Sequence, residues 1–418
     1  MNHEGFAERL SFVDTLLRQR YKLEPRKIEP LEYDEDCPFP YNNFVYCVKL
    51  SPEPRTAITS SHQPGTIALP LGVSSVVVRL SNAAAGLNDL NRVQNEVAVM
   101  SLMRDALSTL PTQIVPAVYG WASAANQQGW ILQQYMAGKP LDAEFENMDF
   151  PKKRNVLRQM AEILVRIQQY GLPGTIKEYG GLNFDESGNV ISGPLTVLHG
   201  GPFQTYEALY RESLRLQLAT ADKNSVVRGW QSKGVRQRLE NFAAHGIKPI
   251  MQDVDSRKVL VHGDFTCNNL LFDKETQRIT AILDFDWAQV SGVAEEFFRS
   301  LSDVHGRLPG PYSVEAEQLA LRQALLEGFP TPLPAQASDV NWRAAEAWDN
   351  ELEHSGAQRP RTIKGIAALS KLYWLSGQIC PFLLFNETIA NDRSKEQHDK
   401  DKEDAEALLI QFLEDHGY

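Results

Sequence analysis

The sequence predicts an α+β fold with a small β-rich amino-terminal part, residues 1–136, and a large, mainly helical carboxyl-terminal part, residues 137–418. Three observations carry this. The first part holds three apolar runs with strand character, Phe44–Leu50, Val76–Leu80 and Trp130–Met136, and one long helical pattern. Beyond residue 137 helical periodicity dominates. The exception is a strand–loop–hairpin unit from Val259 to Trp287, which reads V-L-V-H-G-D-F-T-C-N-N-L-L-F-D and then I-T-A-I-L-D-F-D-W.

In order along the chain, Cys37–Tyr46 leads into the first strand through a Pro- and Asn-rich turn. Asn42 and Asn43 tolerate left-handed backbone and are expected to shape this turn, either standing in for glycine in a tight loop or forming an ordinary hairpin. Ser51–Pro70 is rich in Ser, Thr and Pro with few apolar pairs, which predicts a mobile loop. Val76–Leu80 is a strand with one charge, Arg79. Arg92–Leu107 reads as a helix with Val93, Val97, Met100, Met103 and Leu107 along one stripe and Glu96 beside it. A Glu there can pair with Arg79. After the strand Trp130–Met136, Ala137-Gly138-Lys139-Pro140-Leu141 is a Gly/Pro turn. Asp149-Phe150-Pro151 opens a helix with Val156, Met160, Ile163, Leu164 and Ile167 on one face. Further helical patterns lie near 204–220, 224–244, 313–328, 340–354 and 361–384. The mixed-charge run Asp392–Asp404 reads as a solvated linker before a short amphipathic helix, Ala405–Leu413.

The formal charge of −11 disfavours general nucleic-acid binding, which relies on clustered Lys and Arg. Cys37, Cys47, Cys267 and Cys380 have no paired spacing, which argues against a zinc site or disulfide framework. The amino terminus lacks the basic and apolar regions of a signal peptide, and no apolar run approaches the roughly 20 residues of a membrane span. The expectation is a cytoplasmic protein with no nucleic-acid or membrane partner; the oligomeric state is open.

Chemistry concentrates in Val259–Trp287. Strands at Lys258–Val261, Leu270–Phe272 and Ile279–Leu283 would bring Asp264, Asn269 and Asp284 to the same end of adjacent strands. Singly, Asp264 reads as a turn former, Asn269 as an Asx-turn residue and Asp284 as a helix cap. Together they suit phosphoryl transfer, which needs one carboxylate to orient and deprotonate a hydroxyl and hard oxygen ligands for magnesium.

The segment resembles the aminoglycoside phosphotransferase and choline-kinase family, relatives of the protein kinases. The resemblance rests on the loop His262-Gly263-Asp264-Phe265-Thr266-Cys267-Asn268-Asn269, which matches H-G-D-x-x-x-x-N, and on Ile282-Leu283-Asp284-Phe285-Asp286-Trp287. It implies a bilobal protein-kinase-like fold and an ATP-dependent transfer of the γ-phosphoryl group to a hydroxyl of a small molecule. By resemblance Asp264 is the catalytic base, Asn269 and Asp284 are magnesium ligands, and His262 braces the loop. Asp286 either touches a second metal or orients the loop. Arg79, backed by Glu96, would align the phosphates; relatives usually carry Lys there, and Arg is shared with fungal-type members. The backbone of Gln134, Tyr135 and Met136 would bind the base. Gly200–Tyr206 is similar to a G-P-F turn of the fungal-type relatives.

Three other readings stand beside this one. A nucleotide-binding pseudokinase is suggested by Arg79 and by the lack of glycine near Asn42. A protein kinase is disfavoured by H-G-D in place of H-R-D and by the lack of an A-P-E-like segment after Asp284. A metal-dependent hydrolase using His262, Asp264 and Asp284 would act without ATP. Acidic and aromatic residues at Trp342, Trp348, Asp349, Glu351, Glu353, Tyr373 and Trp374 could hold an ammonium group, or form core and solvated face.

Overall fold

The computed structural model describes residues 2–34, 36–51, 63–125, 127–197, 200–312, 315–334, 339–391 and 393–418. The chain divides into two compact units, Met1–Pro202 with Val259–Val290, and Phe203–Lys258 with Ser291–Tyr418.

The first unit begins with helix α1 (Phe6–Thr15), which continues as a wider turn over Leu16–Arg20. Five antiparallel strands follow: β1 (Pro25–Pro30), β2 (Asn43–Leu50), β3 (Ser75–Ser81), β4 (Val118–Ala122) and β5 (Trp130–Gln134), in the order β1-β2-β3-β5-β4. Alternation along the strands splits their side chains into two sets. Phe44, Tyr46, Val48, Val76, Val78, Leu80, Trp130 and Leu132 join Val13, Leu17 and Tyr21 in one buried cluster, so α1 covers that face. The register places Val45, Arg79 and Ile131 side by side on the opposite face, and Val77 beside Gln133. This second face forms the site described below. Gly120 of β4 lies under the Tyr21 ring; a Cβ there would sit 1.7 Å from the Tyr21 hydroxyl, so only glycine fits.

Helix α2 (Arg92–Ala106) buries the whole expected stripe, but also Arg92, Asn95 and Glu96. Asn95 explains part of this. Its Oδ1 accepts from the Leu182 amide at 2.6 Å, and its Nδ2 donates to the Ala288 carbonyl at 2.9 Å. The helix is thus tied on its polar side as well as its apolar one, an arrangement that hydrophobic periodicity does not reveal.

The two-residue strand β6 (Lys139–Pro140) and the helices α3 (Asp142–Phe145) and α4 (Phe150–Gln169) follow. Asp149 caps α4 by accepting from the Lys152 amide at 3.0 Å, as the sequence signal implied. A hairpin, β7 (Gly181–Phe184) and β8 (Val190–Gly193), comes next. The site-bearing strands are β9 (Lys258–Val261), β10 (Leu270–Asp273) and β11 (Arg278–Ile282), with β10 paired to both β11 and β6. Gln159 of α4 accepts from the Ile279 amide at 3.0 Å and donates to the Gln277 carbonyl at 3.0 Å. A glutamine side chain therefore takes the place of a neighbouring strand at this edge.

The second unit is helical: α5 (Tyr206–Lys223), α6 (Val235–His245), α7 (Ile247–Met251), α8 (Ala294–Arg299), α9 (Ala316–Glu327), α10 (Trp342–Ser355), α11 (Ile366–Ile379), α12 (Phe382–Phe385), α13 (Glu387–Asn391) and α14 (Lys395–Asp415). Its core includes Phe242, Leu409, Phe412 and Leu413. Trp230 donates its indole N–H to the Ile379 carbonyl at 2.9 Å.

The structure corrects two elements. The helical pattern near 224–244 is a helix only from Val235, because Arg228, Trp230 and Lys233 have positive φ and break it into short turns. Residues 395–404 are not a linker but the first half of α14. Ser394 accepts from the Gln397 amide while the Gln397 side chain accepts from the Ser394 amide, a reciprocal cap. Asp401 pairs with Arg393 at 2.5 Å. Alternating charges over good helix formers are a solvated helix face here. Of the loop expected over 51–70, residues 52–62 lie outside the described residues, as does Asp392. Among the described residues no helix is long and apolar enough to cross a membrane.

Candidate functional site

Loop geometry after β9 follows from three residues. Gly263 has φ +79°, and a Cβ there would lie 2.6 Å from the Trp287 carbonyl oxygen, so the turn requires glycine. His262 is buried. Its Nδ1 accepts from the Asp264 amide at 3.3 Å, which leaves Nε2 to donate to the Leu283 carbonyl at 3.1 Å. Burial lowers the His262 pKa to about 4, so the ring is neutral and bridges the loop to the end of β11. That is the bracing geometry expected of it.

The loop brings Asp264 and Asn269 together. The Asn269 amide nitrogen donates to the Asp264 carboxylate at 2.8 Å and to its carbonyl at 2.9 Å. The Asn269 carbonyl in turn accepts from the Leu283 amide at 2.8 Å, which sets Asn269 beside the approach to Asp284. Asp284 itself has φ +60°. A left-handed aspartate is uncommon and costs some strain, and such residues gather at functional sites.

Arg79 meets the hairpin from the sheet. Its Nη1 lies 2.5 Å from Glu96 Oε1, so the expected ion pair is present. Its Nη2 lies 3.2 Å from Asp284 and 3.7 Å from Asp286. Burial works against the guanidinium charge, but Glu96, Asp286 and Asp284 outweigh it and hold Arg79 protonated. Burial raises the Glu96 pKa, with Arg79 opposing. Burial raises Asp286 as well, Asp284 adds to it, and Arg79 opposes. Two guanidiniums, Arg79 and Arg92, thus act on three carboxylates, Glu96, Asp284 and Asp286.

Asp286 orients. It is 2% exposed and accepts from the Asn43 amide nitrogen at 2.8 Å. This contact shows what the asparagine turn meets. Neither Asn42 nor Asn43 has left-handed backbone; Glu32 does, at φ +51°. Asn43 instead opens β2. The buried Arg92 side chain donates to the Asn42 carbonyl at 2.6 Å and the Asn82 carbonyl at 3.0 Å. A side-chain clamp replaces glycine backbone in this turn. Sequence reading missed Arg92, because a charge at a helix start ordinarily reads as solvated.

Of these residues Asn42, Asn43, Arg79, Asn269, Asp284 and Asp286 line one cleft of about 520 Å³, while Asp264, His262 and Glu96 are not among its lining residues. Arg79, Asn269, Asp284 and Asp286 stand at one end, with Val45, Val77, Leu271 and Leu283 on the walls. Gln133, Gln134, Tyr135 and Met136 border it as well. The Gln134 amide donates to the Ala117 carbonyl at 2.8 Å, so its N–H is taken up within the fold. Tyr135 and Met136 lie beyond the strand ladder. Glu32 also borders the cleft; burial raises its pKa, with Asp284 and Asp142 adding to the effect.

A magnesium ion fits this donor set. No cluster of three His, Cys, Asp or Glu ligands occurs among the described residues. Magnesium at a phosphate site does not need one, because it keeps waters and phosphate oxygens with one or two protein ligands. Asp284 is partly exposed at 36%, and Asn269 borders the same cleft. Cys267, inside the loop, is fully buried and serves as packing.

The second unit decides the aromatic–acid group. Trp342, Trp348, Asp349 and Glu351 are buried, and Asp349 is paired with Arg361 at 2.6 Å. Glu353 pairs with Arg359. Tyr373 stacks on Phe298, with centroids 5.0 Å apart. Trp342, Trp348, Asp349 and Glu351 are thus core, while Glu353 is an exposed partner of Arg359.

No curated protein matches the chain. Among solved structures it is similar to the gentamicin–APH(2")-IIa complex, with TM-score 0.50 and 11% identity, over 96% of this chain and 95% of that one. It is also similar to ADP-bound aminoglycoside phosphotransferase APH(2'')-Ib, with TM-score 0.49 and 10% identity over 97% and 99% of the two chains. For aminoglycoside phosphotransferase APH(4)-Ia the values are 0.47 and 13%, over 97% and 99%. At such identity the first of these likenesses shows the fold alone, which is protein-kinase-like. The model of the phosphotransferase enzyme family, APH, matches residues 66–329. That stretch is more than half of the chain and contains Arg79, Glu96, Asp264, Asn269 and Asp284. The resemblance carried by His262–Asn269 thus extends over both units, and the chain belongs to the phosphotransferase enzyme family and is a small-molecule phosphotransferase.

Proposed function

We propose that the protein transfers the γ-phosphoryl group of ATP to a hydroxyl of a small molecule, with Asp264 as the base. The observation that carries this is the Asn269 amide held 2.8 Å from the Asp264 carboxylate, with Asp284 at the next strand end. Asn269 and Asp284 would hold magnesium, which neutralises the phosphate charge when bound. Asp264 orients the acceptor hydroxyl and takes its proton as the oxygen attacks phosphorus. The bond to the bridging oxygen breaks and ADP leaves. Arg79, fixed by Glu96, faces the phosphates from the sheet. Tyr135 and Met136 border the base.

In this reading residues 1–136 bind the nucleotide and residues 137–418 supply the catalytic loop and acceptor site. The acceptor is taken to be a hydroxylated amine, a class that includes the gentamicin of one structural neighbour. Titration of the protein with ATP by calorimetry, with and without magnesium, tests the reading. Magnesium-dependent binding supports it, and a folded protein that binds neither form sinks it.

One observation favours a second reading, an inactive nucleotide-binding regulator. Arg79 contacts Asp284 directly at 3.2 Å, so a guanidinium stands close to where magnesium would bind. Steady ADP release with a screened amine alcohol would exclude that reading.

A further inference from the structure

Gln133 belongs to the β3–β5–β4 ladder, but its side-chain oxygen is left over. It is 5% exposed, and its buried Oε1 finds no hydrogen-bond partner among the described residues. The next residue shows the contrast: Gln134 Oε1 accepts from the Ala117 amide at 3.2 Å. A buried amide without a partner is costly, and a leucine or methionine would fill a strand position without that cost. Yet Gln133 borders the cleft.

Its place in the register says what it faces. Ile131 lies opposite Arg79, and Gln133 lies opposite Val77, whose side chain also lines the cleft. Two residues along a strand advance about 7 Å. Gln133 therefore sits that far from the Arg79 end, toward Tyr135 and Met136. A phosphate at Arg79 leaves the nucleoside end of the ligand toward Gln133, beside Tyr135 and Met136.

We infer that Gln133 is a base-reading side chain that hydrogen-bonds the 6-substituent of a purine, and that the site takes guanine as well as adenine. An amide supplies both partners. Its oxygen accepts from the 6-amino group of adenine, and after a half-turn about its last bond its nitrogen donates to the 6-oxo group of guanine. A methionine at this position offers neither. This inference rests on the nucleotide reading of the cleft.

The test is calorimetric titration of the wild type and Gln133→Met with the magnesium complexes of ATP, GTP and purine riboside 5′-triphosphate, which lacks the 6-substituent. The wild type binds ATP and GTP with dissociation constants within about tenfold of each other, and the riboside analogue about tenfold more weakly than ATP. Gln133→Met weakens ATP and GTP by about tenfold and leaves the analogue unchanged. A raised unfolding midpoint shows that the variant is folded, since it loses a buried unpaired amide. ATP binding without GTP binding in the wild type, or equal affinities in the two proteins, overturns the inference and leaves the nucleotide reading standing. A wild type that binds none of the three overturns both.

Discussion

Asp264 and His262 sit two residues apart in one loop and act by different physics. Asp264 is held by the Asn269 amide, and in the proposed reading it accepts the hydroxyl proton late in the transfer. Asp264→Asn is expected to bind MgATP within a few-fold of the wild type and to lose about 100-fold or more in turnover. Equal turnover in a coupled ADP assay would remove Asp264 from the base role. His262 is kept neutral by burial. Its folded pKa, about 4, lies below the ordinary 6.5, so the unfolded chain binds the extra proton first. The stability from the neutral ring is fully present above pH 6.5 and is lost as pH falls through 4. The gap corresponds to at most about 3 kcal/mol. Urea unfolding of the wild type and His262→Gln from pH 7.5 to 4.5 should show a smaller pH dependence in the variant. Parallel curves would mean that another group titrates.

At the scale of elements, β3 and α2 are joined by one buried ion pair, Arg79–Glu96. Removing one partner leaves an uncompensated charge. Arg79→Ala is therefore expected to lose roughly 3 kcal/mol or more of stability, while Arg79→Lys retains most of it. Chemical denaturation of both variants checks this; an unchanged midpoint in the alanine variant would show that Glu96 simply takes up a proton. For the same reason, weak nucleotide binding by Arg79→Ala cannot by itself assign a phosphate contact. The lysine variant is the sharper probe, because a point charge replaces the planar fork. Local signals named these elements well. Strand β3, helix α2 and the pairing of Arg79 with Glu96 followed from apolar runs and one charge on each. The asparagine turn did not follow, because its shape is set by Arg92, a residue about 50 positions away in sequence.

For the molecule as a whole, ligand binding should appear as stability. If the cleft binds MgATP, nucleotide at a hundredfold its dissociation constant adds about 2.7 kcal/mol. A rise in the thermal midpoint with MgATP, abolished by EDTA and by Asp284→Ala, is the expected outcome. A rise that survives EDTA would place magnesium outside nucleotide binding.

The fold class, the family and the motif Asp264, Asn269 and Asp284 were legible because each depends on local order: strand period, turn residues and fixed spacing within about 25 positions. Helix α14 was only half legible, because a charged run reads as linker until its cap and ion pair are seen. Tertiary structure alone decided that Asp286 ties Asn43, that Gln159 closes the edge of β11, and that Trp342, Asp349 and Glu351 are core. It alone left the Gln133 side-chain oxygen without a partner among the described residues. These outcomes depend on which distant groups meet in a buried setting. There a polar atom is worth what its partner makes of it, and a one-dimensional pattern does not carry that information.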